Sequence, residues 1–245
     1  MPVIIKTGGG GGGAGSAVDT DTYANIPAAG DDGALFFPSD GTKIFRDNGV
    51  SWAPFGDMFS LTDPPTAGWS WVNQDTAVLD TTHGGISIRG TTGGAAQSLN
   101  CYVRAAPSTP YTVTGMLLAD YDYYANPGYG LVWRSSGDGK LTVMYLWGYT
   151  PSIMQINKYN SPTSANANYG EATWWVPEDS GIYPRYLRLE DNGVTRYASI
   201  SNDGFHFPYI FGIGRTDFHT PDQVGFFVNA FSKDVTARLI HWKEE

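Results

Sequence analysis

The sequence predicts an all-β protein: a two-sheet antiparallel sandwich preceded by a small β-meander and an extended Gly-rich amino-terminal arm. Three observations predict it. Beyond residue 34, no stretch places apolar residues at i, i+3, i+4 and i+7 without an interrupting Gly, Pro, Asn or Asp, so helix signals are nearly absent. Short runs rich in Val, Ile, Thr, Tyr, Phe and Trp recur between turn clusters: Ser39-Asp-Gly41, Asp47-Asn-Gly49, Gly137-Asp-Gly139, Asp191-Asn-Gly193 and Asn202-Asp-Gly204. Asn-Gly and Asp-Gly tolerate the positive φ of tight hairpins, so each cluster predicts two antiparallel neighbours. Finally, Tyr186-Leu-Arg-Leu-Glu190 alternates, with Leu187 and Leu189 on one side and Arg188 and Glu190 on the other, whereas Leu141–Trp147 and Gly225–Phe231 are nearly continuous apolar runs. The first pattern fits a strand wet on one face and the second a central strand covered on both, which together imply two stacked sheets.

Residues 1–33 hold Gly8 to Gly13 followed by small or acidic residues, with too little apolar surface to fold alone. They read as an attachment arm, in which Val3, Ile4, Ile5, Gly8 and Gly13 are the candidate anchoring residues. The Gly run is either a plain flexible tether or a segment that threads between protein surfaces where only Cα hydrogens fit. Residues 34–60 form the meander: Leu35-Phe-Phe37, Lys43-Ile-Phe-Arg46 and Ser51-Trp-Ala-Pro-Phe55. So few residues make a marginal core, so this unit should need a neighbour or an oligomer to cover Phe37, Phe45 and Trp52. Thr62-Asp-Pro-Pro-Thr66 reads as a linker, and residues 61–245 carry the sandwich, in which Trp69 and Trp71 face inward. The length of 245 residues accommodates two domains or one large β-domain.

Composition narrows the function classes. Fifteen Lys and Arg against 24 Asp and Glu give a net charge of −9, and the cations stand singly, which excludes a phosphate-backbone partner. No apolar run reaches the ~20 residues that span a bilayer, and Met1-Pro-Val-Ile-Ile-Lys6 is too short and too lightly charged for a signal peptide. The one Cys, Cys101, reads as a small buried hydrophobe.

Catalytic patterns are sparse. His83, His206, His219 and His241 have no metal-ligand spacing and no nucleophile partner. The glutamates are Glu171, Glu178, Glu190, Glu244 and Glu245, and no strand alternates Glu-x-Asp-x-x-Glu. Retaining glycosidases need two carboxyls ~5–5.5 Å apart, so this counts against hydrolysis, and the expectation is a protein that does no covalent chemistry. Asp120 and Asp122 share one side of a strand or its end and are weak calcium candidates or, more simply, a solvated strand end. No other cofactor is expected. Most aromatics must be core, but Trp174, Trp175, Tyr149, Tyr124 and Tyr129 sit beside or near Gly, Pro, Asn or Thr, where rings with polar tips could stack on sugar faces. They are the candidate glycan-binding residues.

The series Tyr186-Leu-Arg-Leu189, Asp191-Asn-Gly193, Tyr197-Ala-Ser-Ile-Ser201-Asn-Asp-Gly204, Phe207 and Val224-Gly-Phe-Phe-Val228, with Gly130-Leu-Val-Trp133 before it, resembles the concanavalin A-like (laminin-G-like) jelly rolls. The resemblance covers residues 61–245 at the level of pattern and implies the fold. Phe207 stands where that family often has Trp, and no family carboxylates carry over. A second resemblance covers residues 34–56: Ala34-Leu-Phe-Phe-Pro-Ser-Asp-Gly-Thr-Lys-Ile-Phe-Arg-Asp-Asn-Gly-Val-Ser-Trp52 is similar to a short module of bacteriophage tail and capsid fibres. It implies a virion-surface appendage, on capsid or tail, whose arm contacts other virion proteins. Its distal domain would meet host surface polysaccharide, many copies adding avidity. A symmetric homo-oligomer fits, a trimer in a fibre. The rival readings are a capsid decoration or cement protein without a receptor role, and a polysaccharide depolymerase using Asp120, Asp122 or Glu171.

Overall fold

The computed structural model describes residues 35–36, 44–47, 50–56, 61–82, 84–91, 98–121, 127–147, 152–176, 185–231 and 233–245, and divides the chain into two units between Leu61 and Thr62. In the first unit, β1 (Leu35–Phe36), β2 (Ile44–Asp47) and β3 (Trp52–Gly56) form a three-stranded antiparallel sheet in the order β1-β2-β3. The arm residues Val3, Ile4, Ile5, Gly8 and Gly13 lie outside the described residues.

The second unit is an antiparallel sandwich, as the strand rhythm predicts, and no described residue is helical. Its strands are β4 (Trp69–Val72), β5 (Val78–Asp80), β6 (Ile86–Gly90), β7 (Asn100–Ala105), β8 (Tyr111–Tyr121), β9 (Gly128–Arg134) and β10 (Leu141–Trp147). There follow β11 (Ser152–Ser161), β12 (Ser164–Val176), β13 (Tyr186–Asp191), β14 (Thr195–Ser201), β15 (Tyr209–Gly214), β16 (Gln223–Asn229) and β17 (Val235–Glu244). Seven strands in the order β12-β11-β10-β9-β16-β7-β4 make sheet I, and seven in the order β15-β14-β13-β8-β17-β6-β5 make sheet II. The fold class is an all-β, two-sheet antiparallel sandwich.

The turns form for the reasons their residues suggest. Between β9 and β10, Gly139 takes φ +76°, a region open to Gly, and its N–H reaches Ser135 O at 3.0 Å. Between β13 and β14, Asp191 Oδ1 accepts from Gly193 N at 2.9 Å, and Asn192 Oδ1 accepts from Thr195 N at 2.7 Å, so two short acidic or amide side chains replace the missing ladder bonds.

Between the sheets lies the main core. Sheet I contributes Leu131, Trp133, Met144, Ile156, Val224 and Phe226, and sheet II contributes Ile88, Val113, Leu117, Leu187, Leu189, Leu239 and Trp242. Burial of each such side chain contributes about 1.5–3 kcal/mol. The expected inward Trp69 packs edge-on against Trp242 at 5.1 Å and Phe226 at 5.9 Å, and stacks on Tyr102 at 5.5 Å. The start of the unit is tied down by Thr62, whose N–H donates to His241 Nδ1 at 2.7 Å while its carbonyl accepts from Trp242 N at 2.9 Å.

A second apolar cluster occupies the other face of sheet I: Cys101, Val103, Val132, Leu141, Val143, Tyr145, Tyr159 and Phe227, with Leu99 beside them. Phe227 and Tyr145 are fully buried although they point away from the sandwich interior. This second core is why Leu141–Trp147 and Gly225–Phe231 read as continuous apolar runs. The β11–β12 hairpin shifts register at three places; Tyr159 of β11 joins this cluster, and Leu99 N donates to the carbonyl of Pro162 in the hairpin turn at 3.0 Å. Cys101 is buried here as expected, and burial pushes its thiol far above the ordinary range.

Candidate functional site

The structure separates the sequence-predicted residues. Tyr129 does not stand in a loop: it belongs to β9, is 5% exposed and sits in the main core, because a residue on that strand opposite Leu146 and Val228 must point between the sheets. Trp174 and Trp175 are likewise strand residues, paired in β12 with Met154 and Ile153. Tyr124 and Tyr149 lie outside the described residues, as does Asp122. Asp120 is exposed on β8, and among the described residues no three His, Cys, Asp or Glu side chains gather around a metal position.

What the structure brings together instead is an aromatic platform on the outer face of sheet II, at β13, β14 and β15. The register places Glu190 opposite Tyr197 and Tyr197 opposite Gly212, while Arg188 lies opposite Ser199 and Ser199 opposite Tyr209. Strand alternation sends all of these away from the core that Leu187, Leu189 and Ala198 enter. Tyr197 and Tyr209 stack, with centroids 4.5 Å apart and planes 28° from parallel. Gly212 permits this: a Cβ there would meet the Tyr197 ring at 3.1 Å. Tyr209 remains 59% exposed, and its hydroxyl donates to Glu190 Oε2 at 3.2 Å. Partial burial and the Glu190 carboxylate both push that hydroxyl above its usual pKa.

The Ser201-Asn-Asp-Gly204 turn supplies the other half. Ser201 Oγ accepts from Gly204 N at 2.9 Å, and Asp203 Oδ1 accepts from Phe205 N at 2.8 Å and His206 N at 2.9 Å. Gly204 takes φ +79° with the Tyr186 ring 3.1 Å from where a Cβ would be. Asp203 Oδ2 lies 2.7 Å from His206 Nδ1, and the hydrogen bonds from His206 hold the Asp203 carboxyl well below its ordinary range. This folded turn delivers Phe207 onto Arg188, whose guanidinium carbon lies 3.4 Å from the ring centroid while Nε donates to Thr114 Oγ1 at 3.0 Å. Burial lowers the Arg188 pKa, but the group stays cationic. Beside it Phe205 is 55% exposed. The result is a solvent-facing strip of rings flanked by one carboxylate and one guanidinium. It can stack on flat apolar faces and exchange hydrogen bonds with hydroxyls.

Sequence reasoning missed this strip because Tyr197 and Tyr209 lie on strands β14 and β15, whereas loop aromatics were sought. The signal that could have found them is the two-residue alternation itself, which already placed Arg188 and Glu190 on the wet face.

A second polar cluster lies between the sheets. Arg196 is fully buried, with its guanidinium carbon 5.5 Å from the Trp133 centroid; Nη2 donates to Asp217 O at 2.7 Å, and Nη1 lies 3.4 Å from His219 Nε2. Thr142 Oγ1 is 2.9 Å from the same nitrogen. Burial, then the Arg196 charge, lower His219 to about 3, so the imidazole is neutral. Nearby, Asp191 is buried and held by Arg215 Nε at 2.9 Å. These side chains pin the residue 217–219 segment to both sheets.

No family model matches the sequence, and no curated protein matches it. Among solved structures, a mutant of the GH43 protein BlXynB from Bacillus licheniformis is similar at TM-score 0.57 and 16% identity, covering 86% of this chain and 45% of that one. The unmutated BlXynB gives 0.54 and 14% with the same coverage. A functionally unknown protein from Saccharomyces cerevisiae gives 0.51 and 13%, covering 73% of this chain and 96% of that one. The CBM2 module of an evolved Dit from Lactobacillus casei BL23 phage J-1 aligns at 0.41 and 9%, covering 75% and 91%. The chain thus spans less than half the length of the GH43 chains it matches.

These likenesses correct one expectation. The scarcity of glutamate and the absence of an alternating carboxylate strand argued that the protein does no covalent chemistry, yet its fold is one that GH43 glycoside hydrolase chains contain. The motif sought belongs to one way of placing carboxylates on a jelly roll. Its absence does not set this fold apart from hydrolase chains.

Proposed function

We propose that the sandwich is a carbohydrate-recognition unit and that the Tyr197–Tyr209 platform, with Phe207, Arg188 and Glu190, is its binding surface. The observation that carries the reading is the exposed ring pair laid over Gly212, with a carboxylate within hydrogen-bond reach of the outer hydroxyl. Rings of this kind offer area at little entropic cost, and the mixed charges of Arg188 and Glu190 suit hydroxyl groups, which donate and accept. Occurrence of the fold within GH43 chains supports a saccharide ligand. The candidates Trp174, Trp175, Tyr124 and Tyr149 join this proposal as secondary sites on the same unit.

The display context we propose is a virion appendage on capsid or tail. The likeness of residues 34–56 to phage fibre modules and the Gly8–Gly13 run in the arm support it. Multiple copies on a particle would raise avidity by ~10²–10⁴ over one platform.

The test is binding of the purified chain to a panel of neutral and acidic polysaccharides, read by affinity electrophoresis and calorimetry. Tyr209→Ala and Tyr197→Ala should each weaken binding about tenfold, equivalent to about 1.4 kcal/mol. Unchanged binding by both variants removes the platform, and no binding to any polymer removes the glycan reading. New reducing ends in the same incubations would show that bound polymer is also cleaved. For the display role, particles lacking the protein should adsorb poorly to host cells; lost shell stability with normal adsorption would assign it to decoration instead.

A further inference from the structure

Sheet II ends at β15, and the hydrogen bonds beside that strand fix which of its groups face outward. Arg215 N donates to Val194 O at 2.8 Å, and Asn192 N donates to Thr195 O at 3.1 Å. With Thr195 opposite Gly214, Arg196 opposite Ile213 and Tyr197 opposite Gly212, these bonds make Ile213 and Arg196 a hydrogen-bonded pair. The pairs on either side are then non-hydrogen-bonded, and such pairs turn their backbone groups away from each other. Gly212 N–H, Gly212 C=O and Gly214 N–H therefore point past the last strand, and both glycines are exposed. Among the described residues, none accepts from either amide.

This edge is the least protected of the sandwich's four. β4 and β5 hold four and three residues, and β12 shifts register three times against its neighbour. Short length and bulges keep an edge from pairing. Tyr209-Ile-Phe-Gly-Ile-Gly214 runs six residues, shifts register once near its start, and carries no charge and no Pro. Edges that capture unrelated peptides draw specificity from pockets for alternate side chains, and Gly212 and Gly214 form none. What fits a bare strip is a strand equally bare, and Gly212, with one donor and one acceptor facing out, answers its own copy across a two-fold axis. Two chains of net charge −9 also approach most easily where the contact strip is uncharged.

We infer that β15 pairs antiparallel with β15 of a second copy about a two-fold axis at Gly212, and that one polysaccharide chain crosses the Tyr197–Tyr209 platforms of both copies. The axis stands normal to the joined sheet, so both platforms keep to one face. Because Tyr197 lies opposite Gly212, the two Tyr197 residues stand three interstrand spacings apart, about 14 Å. Glu190, one strand further in, stands about 24 Å from its copy, well beyond a Debye length of about 8 Å. The bridging rests on the carbohydrate reading proposed above; the pairing of copies does not.

The experiment uses the full chain in sedimentation equilibrium, with loadings up to about 200 μM because a small interface of this kind is at the weak end. Gly214→Pro removes an outward N–H without touching a bond to β14, and Gly214→Ala retains it; a Cβ at Gly214 meets nothing within 4 Å. The unaltered chain and Gly214→Ala should reach twice the chain mass, and Gly214→Pro should remain a monomer. A monomeric unaltered chain overturns the pairing, as does association that persists in Gly214→Pro. Hydrogen exchange of the unaltered chain tests the same point without a variant: the Gly212 amide should exchange at least tenfold more slowly where the pair dominates than after dilution. Exchange that is slow at every concentration in a monomer would assign the edge to another segment of the same chain and overturn the inference. For bridging, xylan, mannan, amylose and hydroxyethylcellulose are compared with xylobiose, mannobiose, maltose and cellobiose, which are too short to join the platforms. Gly214→Pro should weaken a bound polymer at least tenfold and leave its disaccharide within about twofold. A polymer bound equally by both chains overturns the bridging alone, whereas a paired chain that binds no polymer overturns the carbohydrate reading with it.

Discussion

Replacing Arg188 with Met keeps the aliphatic stem but removes the guanidinium that lies 3.4 Å from the Phe207 centroid and the Nε–H that Thr114 accepts at 3.0 Å. A half-buried cation over a ring contributes about 1 kcal/mol, between ~0.5 for exposed and ~2 for desolvated cases. The hydrogen bond contributes about 1 kcal/mol more. Arg188→Met should therefore destabilise the sandwich by about 2 kcal/mol, which lowers the melting temperature of a unit this size by roughly 4–8 °C. Phe207→Leu removes the ring and keeps the bulk. If the stack is what joins the turn to the strand, a double-mutant cycle in urea should return a coupling of about 1 kcal/mol. Arg188→Lys retains the charge and loses the plane and the Nε, so it should recover less than half of the loss. A coupling within about 0.3 kcal/mol of zero, or full recovery by Lys, would refute the idea that the Ser201–Gly204 turn exists to seat an aromatic on this guanidinium.

Two further outcomes follow from buried groups. His219 is held neutral, its pKa lowered to about 3 from 6.5, and His241 is lowered too, chiefly by burial. A depressed histidine makes the unfolded state the better proton acceptor, so stability is fully present above pH 6.5 and is lost as pH falls toward 3, at about 1.4 kcal/mol per pH unit for each histidine wherever it is protonated only when unfolded. His219→Gln, followed by denaturant midpoints across that window, should flatten the slope; an unchanged slope would remove His219 as its source. Gly225→Ala should disrupt folding more than an ordinary overpacking change of about 1–3 kcal/mol, because its Cβ would meet backbone, the Tyr102 carbonyl at 2.2 Å, which cannot swing aside. A normal melting temperature in that variant would show that β7 and β16 are less closely apposed than the structure has them.

Much of the architecture could be read in the sequence because turn chemistry and strand period are local. The Gly137–Gly139, Asp191–Gly193 and Asn202–Gly204 clusters each separate strands that pair antiparallel, and Leu187 and Leu189 enter the core that their alternation predicts. The candidate sites were harder because exposure is a property of the layer, not of the neighbouring residues. Tyr129 was read from the Gly and Pro beside it, yet strand β9 turns it inward. Tyr197 looked like any strand aromatic, yet on the outer face of sheet II it stacks with Tyr209, which stays 59% exposed.

The continuous apolar runs carry the same lesson further. Leu141–Trp147 reads as a strand covered on both sides, and it is, but only one of its covers is the other sheet. On the other face Val143 and Tyr145 pack in a second cluster with Val132, Tyr159 and Phe227. A hydrophobic run reports that both faces are buried and not what buries them. The polar side chains between the sheets gather around Arg196 and His219, where Arg196 Nη2 donates to Asp217 O and ties the residue 217–219 segment in place.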